Sequence, residues 1–275
     1  MSSYFLLDAN QLRAYLSRFN QFDRELYKQY FSNSEAGAFL ENNIPRFECP
    51  DKELEEIYYF RWWTYRKHIK TTSDGFVITE FLPPVVWSGK HNTISCAAGH
   101  HLYEGRWLHD SSFLDDYSVF WFRKGGEPRR YSFWAADALW ARYLVNPDPA
   151  LITGLLPELD ANWLEWEKAH RGSNGLFRQI DDRDGMELSI GGNGYRATIN
   201  SYQYGDAVAI AKIAELADES ILAATYRTRA EQLGRLVRDG LWDGADGFFK
   251  VLPEKTNDQS LAMTSSFSSM LLAGL

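Results

Sequence analysis

The stretch "RQIDDRDGMELSIGGNGYRATINSYQYGDA" (Arg178–Ala207) runs from an acidic turn through a glycine cluster into an apolar, helix-patterned segment. Asp181, Asp182, Asp184 and Glu187 crowd its first part, and Gly191, Gly192 and Gly194 follow. Three readings compete: a polar loop, a phosphate-cradling glycine turn, or the acid-bearing part of a catalytic site. From Thr198 the apolar residues recur at helical spacing as far as Leu216, and a second helical pattern covers Glu219–Arg238. A turn feeding a pair of helices points to an α-helical protein with functional loops between its helices.

The rest of the chain repeats that organisation. Leu12, Tyr15, Leu16, Phe19, Leu26, Tyr27 and Tyr30 mostly share one helical face, which predicts a helix over residues 10–31. Pro50 makes a good helix start for Asp51–Lys70. "TTSDGFVITEFLPPVVWSG" reads as a short hairpin or extended loop, with Asp-Gly and Pro-Pro as breakers. Helical patterns return over Ser111–Arg123, Tyr131–Val145 and Pro149–His170, and Asn146-Pro147 separates the last two. "SDGFVI", "RDGMEL" and "ADGFFK" each place Asp-Gly before apolar residues. They read either as an echo of helical hairpins joined by β-like turns or as three independent turns.

Composition narrows the function classes. A net charge of -8 argues against a nucleic-acid partner, because phosphate binding needs a basic face. Ten Trp and 15 Tyr supply faces that pack helices and also stack on sugars. Cys49 and Cys96 are too few for a disulfide framework and suit a reducing compartment. No apolar run approaches a membrane span, and the first residues lack the basic and apolar regions of a signal peptide. The expectation is a cytoplasmic protein without a membrane partner.

Four chemistries can be weighed on the motifs. "GNGYRA" (Gly192–Ala197) matches a relaxed dinucleotide-loop pattern, but the flanking strands of a βαβ unit are missing and Tyr195 and Arg196 would crowd a pyrophosphate. His91, Cys96, His100, His101, His109 and Asp110 lack metal-ligand spacing, so neither a metal nor another cofactor is expected. Ser111 and Ser112 beside His109 and Asp110 are sequence neighbours, not a triad, and there is no G-x-S-x-G elbow. The fourth chemistry is a carbohydrate site, which needs carboxylates to flank a scissile bond and polar side chains to hold hydroxyls. "YYFRWWTYRKH" (Tyr58–His68) offers Arg61 and Trp62. "EGRWLHDSSFLDDYSVFWF" (Glu104–Phe122) offers Trp107, His109, Asp110 and Asp116. The opening stretch offers Asp184, Glu187, Arg196, Asn200 and Tyr202. Core packing of the tryptophans and solvation of the acids is the plain alternative for any one of them.

"GRWLHDSSFLDDYSVFWF" resembles the tryptophan-aspartate-serine segment of the six-hairpin toroid glycosidases, among them trehalases, processing α-glucosidases and mannosylglycerate hydrolases. "DGMELSIGG…INSYQYGDAVAIAKIAEL" resembles their acid-bearing segment, where a D-G-W-D-like turn precedes a helix. The resemblance is to the mannosylglycerate-hydrolase-like group and spans roughly Pro50 to Lys250. It implies an all-α (α/α)6 toroid, inverting hydrolysis of O-glycosidic bonds in a small sugar or oligosaccharide, and no cofactor. Matching D-G-W-D onto Asp184–Glu187 implies Glu187 as general acid, with Asp184 as the alternative because Met186 and Glu187 depart from the pattern. It also implies sugar-binding roles for Asp110 and Trp107, with His109 where the family has Trp, and a pocket-lining role for Arg61 and Trp62.

An inverting enzyme also needs a base, and in this family the base lies late in the sequence. Twelve helices with loops take well over roughly 300 residues. The expectation is therefore a single domain over residues 1–275 holding the first part of the barrel, C-terminally truncated, with the base missing from this chain. An open half-ring would expose apolar helix faces and favour self-association. Two other classes remain open: a non-catalytic sugar-binding or interaction module, and a sugar epimerase working through histidine.

Overall fold

The computed structural model describes residues 9–186, 188–189, 191–253 and 262–263. Among them are ten α-helices and a few short strands: α1 Ala9–Phe22, α2 Ala36–Asn43, α3 Lys52–His68, α4 Ser95–Gly105, α5 Ser112–Arg123, α6 Ala135–Val145, α7 Pro149–Gly154, α8 Leu156–His170, α9 Ala197–Leu216 and α10 Ser220–Leu241. Strands β1 Ile69–Thr72 and β2 Gly75–Ile78 form a hairpin. Strands β3 Arg178–Gln179, β4 Gly194–Tyr195, β5 Trp242–Asp243 and β6 Phe248–Pro253 pair antiparallel in the order β3-β4-β6-β5. The chain divides into two compact units, one of residues 1–93 and 104–125, the other of residues 94–103 and 126–275.

In the first unit α3 supplies the core. Asp51 caps it by accepting hydrogen bonds from the Glu53 and Leu54 amides at 3.0 and 3.3 Å. Trp62, Trp63 and Tyr65 are then buried, with Trp63 against Phe19 of α1 and Trp62 edge-on to Tyr65. The helix predicted over residues 10–31 stops at Phe22. Side chains beyond that point bind elsewhere: Asp23 takes the Lys67 ammonium at 2.8 Å and the Asn33 amide group, and Glu25, at φ 46°, takes the Asn33 backbone amide at 2.6 Å. These partners, remote in sequence, hold the residues after Phe22 outside the helical pattern. The hairpin β1–β2 sits where the Asp-Gly signal placed it. Asp116 of α5 accepts the Phe76 amide at 2.9 Å, and a Cβ at Gly75 would lie 2.6 Å from its carboxyl carbon, so only glycine fits there.

In the second unit α9 is buried almost all round, from Ala197 and Ile199 to Ile213 and Ala214. The more amphipathic α10 packs along it, and α6 and α8 cover other faces. The single helix expected over Pro149–His170 is two, because Pro157 has no N–H to give the Thr153 carbonyl and a new helix starts at Leu156. Helix α4 was not foreseen, because "SCAAGHHLYEG" mixes two glycines with two histidines. Its Gly99 is a packing residue, since a Cβ there would stand 2.2 Å from the Trp134 ring. Gly99→Ala is therefore expected to destabilise the protein by about 1–3 kcal/mol in chemical denaturation, because a buried indole cannot yield as a flexible chain end does.

The Asp-Gly echo resolves into turns. Gly75, Gly185 and Gly247 all adopt positive φ, at 100°, 68° and 63°. The first and last join paired strands, and Gly185 closes a 3-10 turn over Asp181–Asp184.

Candidate functional site

The Arg178–Ala207 stretch folds as β3, the 3-10 turn, β4 and then α9. Glu187 lies outside the described residues. Around its place in the sequence the turn is organised by Arg196, which immediately precedes α9 and is fully buried. Its Nε donates to Asp184 Oδ2 at 2.5 Å, and its Nη1 lies 3.1 Å from Asp181 Oδ1. The same guanidinium reaches Ser189 Oγ at 3.2 Å and the Gly192 carbonyl. On the other side Ser189 donates its amide to Asp181 at 2.7 Å, and its hydroxyl also binds that carboxylate. One cation therefore joins the acidic limb of the turn, Asp181–Asp184, to its glycine-rich limb, Ser189–Gly192.

Asp184 is the deepest member. Its side chain has no exposure; Ser132 Oγ donates to one oxygen and Arg196 to the other. Gln179 Nε2 extends the network to Ser132 at 3.2 Å. Burial pushes the Asp184 carboxyl up to about 6, against the pull of Arg196 and Ser132. Two carboxylates share one guanidinium here, so the cluster carries a surplus negative charge that favours taking up a proton. The folded protein then binds more protons than the unfolded chain between about pH 4 and 6, so this contribution to stability is full below that window and is lost as pH rises through it. The stability difference between wild type and Asp184→Asn should change by up to about 1.4 kcal/mol per pH unit across the window and flatten above it, as denaturation midpoints at several pH values would read.

This geometry revises the expected roles. Asp184, the alternative acid, has both oxygens engaged and no exposed surface from which to protonate a leaving group; it holds the turn. Asn200 was expected to bind hydroxyls, but both of its amide hydrogens go to backbone carbonyls, of Phe177 and Arg196, at 2.7 Å. Its oxygen takes the Phe177 amide, also at 2.7 Å, in a fully buried setting. It ties the start of α9 to Phe177, the residue before β3. Tyr202 is 6% exposed, with its ring 4.5 Å from Trp134, and burial, then the nearby Asp184, holds its hydroxyl well above the usual tyrosine range.

In the first unit the predicted residues separate into two groups. Trp62 is buried, edge-on to Tyr58 and Tyr65, and is core rather than a stacking platform. Asp116 serves the hairpin. Arg61, Trp107, His109 and Asp110 are exposed. Arg61 pairs with Glu104 at 2.7 Å, and burial raises the Glu104 carboxyl above its usual range although Arg61 opposes this. Trp107 is 46% exposed, with Arg106 stacked 5.2 Å from its ring centroid. The His109 amide and Nδ1 donate to the Asn43 and Asn42 carbonyls at 2.8 and 2.9 Å, which fixes the ring and leaves Nε2 pointing away from that contact. Asp110 accepts the Ser112 amide at 3.0 Å at the entrance of α5. A loop that presents an aromatic face, an imidazole and a carboxylate together has the chemistry of sugar binding.

Among the described residues no three His, Cys, Asp or Glu side chains are grouped to hold a metal ion, and no helix is long and apolar enough to cross a membrane. The buried partner Ser132 was not visible in the sequence, because it lies far from the turn and carries no motif, and nothing in its residue type marks Gln179, two residues before the turn, as a member of the network.

The family model of the mannosylglycerate hydrolase MGH1-like glycoside hydrolase domain matches residues 90–275, and the chain belongs to that family. Its helical pairs joined by short β turns are part of the all-α (α/α)6 toroid glycosidase fold. A solved structure named "Sialidase" is similar over 91% of this chain, at 39% identity and a TM-score of 0.87. The chain covers 24% of that structure's length. No curated protein matches the chain.

Proposed function

We propose that this chain is the acid-bearing part of an inverting O-glycoside hydrolase that acts on a small sugar or oligosaccharide. Glu187 protonates the leaving-group oxygen. A carboxyl in that role must keep its proton near neutral pH, which a partly apolar surrounding provides. Trp107 stacks on a sugar ring, and Asp110, Arg61 and His109 meet hydroxyls. The water-activating base comes from sequence outside these 275 residues.

The observation that supports this reading best is the turn over Asp181–Gly192. It is the segment that resembles the family's acid-bearing turn, and it is braced by a buried Arg196 at the head of α9. Such bracing is costly to build, because it takes three charged groups out of water, and a plain solvated loop has no need of it.

The experiment pairs isothermal calorimetry on a panel of mono- and disaccharides with hydrolysis of the matching aryl glycosides by the full-length protein. Binding together with hydrolysis supports the enzyme. Binding without hydrolysis of any member assigns the chain to non-catalytic sugar-binding modules instead.

A further inference from the structure

The buried guanidinium of Arg196 contacts both limbs of the turn and no described acid outside it. Its reach runs from Asp181 and Asp184, before Glu187 in sequence, to Ser189 and Gly192, after it. A purely stabilising cation needs one carboxylate. This one takes two carboxylates, a hydroxyl and a carbonyl from one stretch, Asp181 and Asp184 on one side and Ser189 and Gly192 on the other, and the Asp181 carboxylate that it holds is itself bonded by the Ser189 amide and hydroxyl. The loop is also bounded on both sides by rigid structure: β3 pairs with β4, and Asn200 locks the start of α9 to Phe177. Among the described residues the two limbs are joined by the Arg196 guanidinium and by the Asp181–Ser189 contact that the same guanidinium holds.

We infer that Arg196 is a positioning residue for the general acid, holding Asp181 and Asp184 against Ser189 and Gly192 through its fork of donors rather than through its charge alone. This rests on the reading of Glu187 as the acid. Lysine keeps the charge but cannot bond four acceptors in one plane. Misplacing an acid by about 1 Å costs on the order of 10²-fold in rate, and only where the leaving group needs a proton.

The test uses Arg196→Lys in the full-length protein and two readouts. In hydrogen–deuterium exchange, peptides covering residues 180–193 should exchange at least about tenfold faster while peptides from α9 and α10 keep wild-type rates. Exchange that rises throughout the unit, or stays unchanged in the turn, overturns the inference whether or not Glu187 is the acid. In kinetics, kcat/KM should fall about tenfold or more for phenyl glycosides and far less for 2,4-dinitrophenyl glycosides, whose leaving group departs unprotonated. Equal losses on both substrates would mean that Arg196 is merely structural. Glu187→Gln run beside it separates the two ideas. If that variant shows no dependence on the leaving group, the acid assignment fails, while the exchange data still decide the role of Arg196.

Discussion

Glu187→Gln is expected to lower turnover of phenyl glycosides by roughly 10²–10⁴-fold in the full-length protein, with KM little changed. The amide has the shape of the acid but no proton to give. The loss therefore falls on the step in which the glycosidic oxygen departs, and an activated 2,4-dinitrophenyl leaving group largely escapes it. Asp184→Asn provides the contrast. The Asp184 carboxyl is spent on Ser132 and Arg196 and has no exposed surface, so its loss should act on turn order and stability, with similar effects on both substrates. A strong leaving-group dependence in Asp184→Asn, with none in Glu187→Gln, would exchange the two assignments. Rates on the two substrates for the two variants decide it.

Arg196→Met is expected to cost about 3–5 kcal/mol of folding stability, because it leaves the buried Asp184 and the part-buried Asp181 without their cation. The same logic sets the sign of a double-mutant cycle. Adding Asp184→Asn to Arg196→Met removes one of the stranded charges, so the double variant should lose clearly less than the sum of the single losses. Urea denaturation of the four proteins measures the coupling. Additive losses would mean that the pair does not act as a unit.

The sequence showed helix starts and stops where they rest on short-range chemistry. Pro50-Asp51 opened α3 through a real side-chain cap, Asn146-Pro147 separated α6 from the next helix, and the start of α9 lay within a residue of its reading. It failed where tertiary contacts override local preference. Helix α4 is held in spite of Gly99 because an indole needs that space, and residues after Phe22 leave the helical pattern because Asp23 and Glu25 have distant partners. The site was legible as a segment but not as a set of roles. Residue types could not show that Asp184 and Asn200 spend their polar atoms inside the protein, or that Trp62 packs in the core while Trp107 faces water. Burial separates a binding carboxylate or indole from a structural one, and burial is decided by residues remote in sequence, such as Ser132 for Asp184.

The most direct test of the account follows the anomeric protons by NMR while the full-length protein hydrolyses an aryl glycoside that it has been shown to bind. The account predicts that the first sugar released carries the anomeric configuration opposite to that of the substrate, before mutarotation mixes the two. Release of sugar with retained configuration, or binding with no sugar released, would contradict it.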